Sequence, residues 1–202
     1  MEFNDAISDS TTAFSLICPD AVTIDLSNAK ITATALLHTF EGMEYLRTVI
    51  MPKDMRSVKV MLGTFKNCPR LRRVEMNSRL PNLAEMISTF ENCPELELVR
   101  MPSKLPSLQT AAFAFRNCLK LKTAFVWNSP NLMNLTSTFE NCPELERFSF
   151  HGPYLHLKYV DNCCKGCEMI GINHHVHCHC WFTDNQLEKM CLIPNKLIWR
   201  YD

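Results

Sequence analysis

One short pattern returns four times along the chain. It reads Phe65-Lys66-Asn67-Cys68-Pro69-Arg70-Leu71, Phe90-Glu91-Asn92-Cys93-Pro94-Glu95-Leu96, Phe115-Arg116-Asn117-Cys118-Leu119-Lys120-Leu121 and Phe139-Glu140-Asn141-Cys142-Pro143-Glu144-Leu145. The cysteines step by 25, 25 and 24 residues. One more step back from Cys68 reaches Met43, and another reaches Cys18. Forward of Cys142, a shortened unit is read to end at Val160-Asp161-Asn162-Cys163. A fixed period of this length constrains the fold more than any composition can. Units this small bury their apolar faces only by stacking on one another.

Each unit has an internal grammar. Apolar residues stand six and eight places after the Cys or Met, as in Ile24 and Leu26, Val49 and Met51, Val74 and Met76, Val99 and Met101. That alternation is the period of a strand. A break at Pro52, Pro81, Pro102 and Pro130 follows. Val58, Met61, Leu62 and Phe65, and again Leu83, Met86, Ile87 and Phe90, then carry helical spacing. The fold expected is an α/β repeat solenoid, with one parallel sheet on the concave side and short helices on the convex side. Residues 1–17 are read as an N-terminal cap, 18–163 as a solenoid of about six units and 164–202 as a Cys/His-rich C-terminal cap.

The Phe-x-Asn-Cys-x-x-Leu motif followed by an apolar strand resembles the BspA-type leucine-rich repeats. Segments such as Ile24-Asp25-Leu26-Ser27-Asn28 and Val58-Lys59-Val60-Met61-Leu62-Gly63-Thr64-Phe65 resemble its Met-rich branch of about 25 residues per unit. The resemblance spans residues 14 to 163. It implies contact with another protein, in the manner of surface or host-directed proteins of bacteria and protozoa, and a bacterial or host-directed effector fits that description. It implies no catalytic role.

Composition supports a binding rather than a chemical role. Lysine plus arginine and aspartate plus glutamate number 21 each, so there is no basic excess to engage nucleic acid or an anionic membrane. No apolar run is long enough to span a bilayer, and the start, Met1-Glu2-Phe3-Asn4-Asp5, is unlike an export signal. A cytoplasmic location, or delivery by a non-classical route, is expected. With five glycines, phosphate-cradling loops are not expected, and no nucleophile motif is present. The chain is read as non-enzymatic.

The eleven cysteines divide into two sets. Cys18, Cys68, Cys93, Cys118, Cys142 and Cys163 are assigned to the repeat as small buried hydrophobes, and Met43 replaces one of them. The asparagines before them, Asn67, Asn92, Asn117, Asn141 and Asn162, are expected to form a stacked amide ladder. The second set lies with histidines in the C-terminal segment. Cys164 and Cys167, with His177, Cys178, His179 and Cys180, have the spacing of a zinc site, zinc being the cofactor they would hold. The alternative is a closing strand, with Val176, Cys178 and Cys180 inward and the histidines outward.

The partner surface is placed on the strand residues five, seven and nine after each Cys. Its later rungs gather Arg100, Phe125, Trp127, Arg147 and His151, residue types that dominate protein interfaces. The competing expectation is that the C-terminal segment covers Phe125 and Trp127. Lys66, Glu91, Arg116 and Glu140 are expected to form a solvated ladder of alternating charge.

Overall fold

The computed structural model describes residues 1–2, 6–8, 13–76, 79–126, 128–150, 156–167, 176–178 and 183–191. For Ala6, Phe125, Val126, Arg147–Phe150 and Val176–Cys178 it describes the backbone. The strands are β1 (Ala6–Ile7), β2 (Thr23–Asp25), β3 (Lys30–Ile31), β4 (Ala35–Leu37), β5 (Thr48–Ile50), β6 (Val60–Leu62), β7 (Arg73–Glu75), β8 (Leu98–Arg100), β9 (Thr123–Val126), β10 (Arg147–Phe150) and β11 (Val176–Cys178). Among the described residues, two helices, α1 (Phe14–Ile17) and α2 (Asp184–Lys189), lie toward the two ends of the chain.

All strand pairs are parallel. One face carries β2-β5-β7-β8 and then β9-β10-β11. Its register follows the repeat step, pairing Ile24 with Val49, Val49 with Val74 and Val74 with Val99. These are the strand positions predicted by the alternation of apolar residues. The chain is a parallel-strand β-solenoid.

The convex helices do not form among the described residues, and the reason is visible in the backbone. Met61 and Leu62 fall not on a helix but on β6, with Val58 just before it and Phe65 in the turn after it. Beyond β4 and β6 the ladder continues as single bridges, Val60 to Glu85, Glu85 to Thr110, Thr110 to Asn134 and Asn134 to Tyr159. A further line links β1 to β3, Asp54 to Arg79 and Lys104 to Asn128. The turn of each coil then holds two left-handed residues, such as Gly63 (φ 56°) with Asn67 (φ 59°) and Ser88 (φ 51°) with Asn92 (φ 60°). No α-helix runs through that conformation.

The turns carry the most regular packing. Phe14, Phe40, Phe65, Phe90, Phe115 and Phe139 stack ring on ring, with centroids 4.8 to 5.5 Å apart. That spacing is close to the separation of neighbouring strands, so the rings and the backbone share one rise per coil. The repeat thiols are buried, and those from Cys68 to Cys142 donate to the Phe carbonyl of the preceding coil. The Cys68, Cys93, Cys118 and Cys142 sulfurs lie 2.9, 3.0, 3.2 and 3.1 Å from the oxygens of Phe40, Phe65, Phe90 and Phe115. The repeat cysteine is thus a small apolar side chain that also satisfies a buried carbonyl.

The same bond corrects the assignment of the last unit. Cys167 donates to Phe139 O at 3.0 Å, so it is Cys167, not Cys163, that continues the thiol column. Cys163 takes the place of Thr138 and Cys164 that of Phe139, since the Phe139 amide donates to Cys163 O. Asn162 is then out of the amide ladder. The ladder runs from Asn141 to Asn117 to Asn92 to Asn67, at 2.9, 2.7 and 2.8 Å, and from Asn67 to Glu41. Gly166 (φ 74°) stands at the next rung, and Gly42 (φ 70°) at the first. The ladder residues are the second left-handed residue of each turn, a conformation asparagine tolerates better than most.

At one end β1 pairs with β3 and Glu2 bridges to Asp25, adding an outer layer to the first coil. At the other, α2 begins at Thr183 with a capping box closed by Gln186. Its Leu187 and the following Met190 are buried against the last coil. The segment Leu192-Ile193-Pro194-Asn195-Lys196-Leu197-Ile198-Trp199, which reads in sequence as a last apolar strand, lies outside the described residues.

Candidate interaction surface

Alternation along the strands puts two rows of side chains on the outer side of the sheet. One row runs Thr23, Thr48, Arg73 and Leu98, and the next Asp25, Ile50, Glu75 and Arg100. The residue between them in each strand points into the core: Ile24, Val49 and Val74 are fully buried. Arg100 is exposed, while Thr48, Ile50, Arg73, Glu75 and Leu98 are half-buried. Arg73 and Glu75 pair at 2.6 Å on this face. Asp25 accepts from the Ser27 backbone N–H at 2.8 Å, which holds its carboxyl below the usual range and ends β2 in a turn.

The later rungs continue the register on the other three strands. Phe125 is in register with Ser149, Arg147 with Thr123, and Ser149 with His177. Phe125 and Arg147 therefore belong to one three-stranded sheet, while Arg100 lies on the last strand of the four-stranded sheet. Trp127 and His151 lie outside the described residues.

Between the two sheets the ladder is interrupted. The amides of Arg72 and Arg73 both donate to Arg47 O, and those of Glu97 and Leu98 to Arg72 O. Among the described residues the matching bonds from Lys122 and Thr123 to Glu97 O are missing. The coils stay joined on either side, through Lys120 N to Pro94 O at 3.2 Å and Asn128 N to Ser103 O at 3.0 Å. Ala124 stands where β5, β7 and β8 carry valine, and Val99 and Met101 are only partly buried. This seam was not read from the sequence. Its trace there is Ala124 in a valine column, in the first unit with a 24-residue step.

Of the residues put forward for metal binding, Cys164 and Cys167 lie in the last turn and His177 and Cys178 on β11. Cys164 is buried in the Phe column, and Cys167 donates to Phe139 O. The Cys164 sulfur lies within hydrogen-bonding reach of those of Cys163 and Cys167, and burial pushes its thiol well above the usual range. His177 and Cys178 belong to β11, in register with Ser149 and Phe150 of β10. That is the place of the closing strand foreseen for this segment. His179 and Cys180 lie outside the described residues. Among the described residues, no group of three or more His, Cys, Asp or Glu side chains is gathered as metal ligands would be.

On the opposite turns, the charge ladder is more than a solvated row. Glu91 is 1% exposed and is held between Lys66, at 3.0 Å, and Arg116. Burial acts to raise its carboxyl, but hydrogen bonds from Ser88, Arg116 and Lys66 outweigh that and hold it below the usual range. The Arg116 guanidinium also lies 4.9 Å from the Phe113 ring.

Among the described residues, no helix is long and apolar enough to cross a membrane. Neither a curated protein nor a solved structure matches the chain. A family model for the BspA type leucine rich repeat region does match, in six copies over residues 10–146. That span covers five of the Phe–Phe stacks, the four-stranded sheet and β9. The chain belongs to the BspA-type leucine-rich-repeat family.

Proposed function

We propose that this chain is a protein-binding module that docks a folded partner across the outer face of its sheets, with Arg100, Phe125, Trp127, Arg147 and His151 as the anchoring residues. Proteins of this family generally bind other proteins and are typically not enzymes. The observation that carries the reading is the register of the strand face. It sets an exposed Arg100 beside half-buried Glu75 and Leu98, and brings Phe125 and Arg147 onto adjacent strands. Aromatic and arginine side chains on a rigid frame lose little entropy on binding, which favours them as anchors. The burial of the repeat thiols supports a non-catalytic role. Burial pushes Cys18, Cys93, Cys118 and Cys142 above the usual range, so none is a ready nucleophile.

The test replaces Arg100, Phe125, Trp127 and Arg147 together by alanine. Affinity capture from bacterial and eukaryotic lysates should lose the proteins retained by the wild type, while the circular dichroism spectrum is unchanged. Retention of the same proteins by the variant would reject this surface.

A further inference from the structure

The turn column built from phenylalanine rings ends in two cysteines. The Phe115 amide donates to Thr138 O at 2.9 Å, the residue before Phe139, and those two rings stack at 5.5 Å. The Phe139 amide donates to Cys163 O at 2.8 Å, the residue before Cys164. The Cys164 amide in turn donates to Met190 O at 2.9 Å, the residue before Cys191. One backbone relation is thus repeated three times, and it brings the Cys191 backbone over that of Cys164, with Cys191 left-handed (φ 60°) and its side chain exposed.

We propose that Cys164 and Cys191 form a reversible disulfide that latches the α2 cap onto the last coil. The column rises by 4.8 to 5.5 Å per coil, inside the roughly 4.4–6.8 Å between Cα atoms that a disulfide spans. Cys164 is a short side chain in a column that elsewhere holds phenyl rings, which leaves room beside it for a second sulfur. Cys191 is exposed and Cys164 is buried, so an oxidant reaches the first and the second completes the bridge. Cys163 and Cys167 also lie beside Cys164, but neither is exposed as Cys191 is. Cys167 is engaged with Phe139 O, and Cys163 replaces the threonine of the adjacent column. The latch has something to hold. The described backbone bonds between the α2 end and the coil are Asn162 N to Lys189 O and Cys164 N to Met190 O. Gln186 adds a side-chain bond to Leu157 O at 3.3 Å.

The oxidant is a small-molecule disulfide such as glutathione disulfide. The Cys191 thiolate attacks it, forming a mixed disulfide and releasing one glutathione thiolate. The Cys164 thiolate then attacks the Cys191 sulfur, the second glutathione leaves, and the two protons lost by the protein end on the two glutathione thiols. Burial keeps Cys164 protonated at neutral pH, so the second step is slow and quickens as pH rises.

The full chain is equilibrated in glutathione redox buffers and mapped by peptide mass spectrometry without reduction. The expected product is an intramolecular peptide joining Cys164 to Cys191, removed by dithiothreitol, with a melting temperature raised by roughly 5 °C. Cys191→Ser, a change at an exposed position, should fold as the wild type does and lose both the linked peptide and the temperature shift. A bridge between any other pair overturns the proposal. So does persistent glutathione on Cys191 with no bridge, or a temperature shift that survives in Cys191→Ser.

Discussion

Glu91 tests how far a single side chain is set by its neighbours one coil above and one coil below. Its carboxylate is buried between Lys66 and Arg116, whose own side chains remain about a third exposed, at 31% and 37%. Removing it leaves two cations without a partner, but both reach water, which moderates the loss. Glu91→Ala should therefore cost about 2 kcal/mol, measured as a lower denaturant midpoint. The same carboxyl binds its proton more weakly folded than unfolded. Its contribution is complete at neutral pH and is lost as pH falls through the folded value, below the ordinary glutamate range. The stability gap between the wild type and Glu91→Gln should accordingly narrow below about pH 4. An equal gap at pH 7 and pH 3 would mean the charge contributes nothing. The alternation of sign from Lys66 to Glu140 was legible in the sequence. The burial of one member was not, because it depends on turns that bring Lys66 and Arg116 over it from coils on both sides.

At the scale of the turn, the asparagine ladder joins backbone conformation to side-chain bonding. Asn117 has φ 62°, donates to Asn92 at 2.7 Å and accepts from Asn141 at 2.9 Å. Asn117→Ala loses both bonds and places a Cβ-bearing residue of poor left-handed propensity there, a combined cost of about 2 kcal/mol. Asn117→Gly loses the bonds but suits the backbone, so it should cost only about half as much. Equal losses in thermal or denaturant unfolding would show that one of the two effects is absent. The ladder and the thiol column were readable because each repeats one residue type at one step. The turn that carries them was misread. Val58, Met61, Leu62 and Phe65 satisfy a helical stripe, but Val58, Met61 and Phe65 face inward from a strand and the bend after it while Leu62 is only half-buried. Gly63 and the positive φ of Ser88 decide between the two. Asn162-Cys163 was misread for a related reason, since the dipeptide copies the ladder motif while Gly166-Cys167 holds the register. Glycine before the repeat residue already had a precedent in Gly42-Met43.

For the whole molecule, the seam between β8 and β9 decides how the stack responds as a unit. A repeat array is stabilised by contacts between neighbouring coils alone, so its weakest junction governs where it opens first. The strand face of the proposed binding surface crosses that junction, with Arg100 on one side and Phe125 and Arg147 on the other. Alternation along each strand showed which residues face outward. It could not show that two adjacent strands fail to pair, because pairing depends on backbone positions several residues away on both coils. The Lys122 and Thr123 amides lack the bonds to Glu97 O that Glu97 and Leu98 make to Arg72 O. Native-state hydrogen exchange should therefore be about 10- to 100-fold faster at Lys122 and Thr123 than at Glu97 and Leu98. A partner that bridges the seam holds both sheets in one arrangement. Its binding should slow exchange at Lys122 and Thr123 more than at Arg72 and Arg73, deep in the four-stranded sheet. If a bound partner protects the two pairs equally, it does not span the junction, and the anchoring residues on the two sheets do not act together.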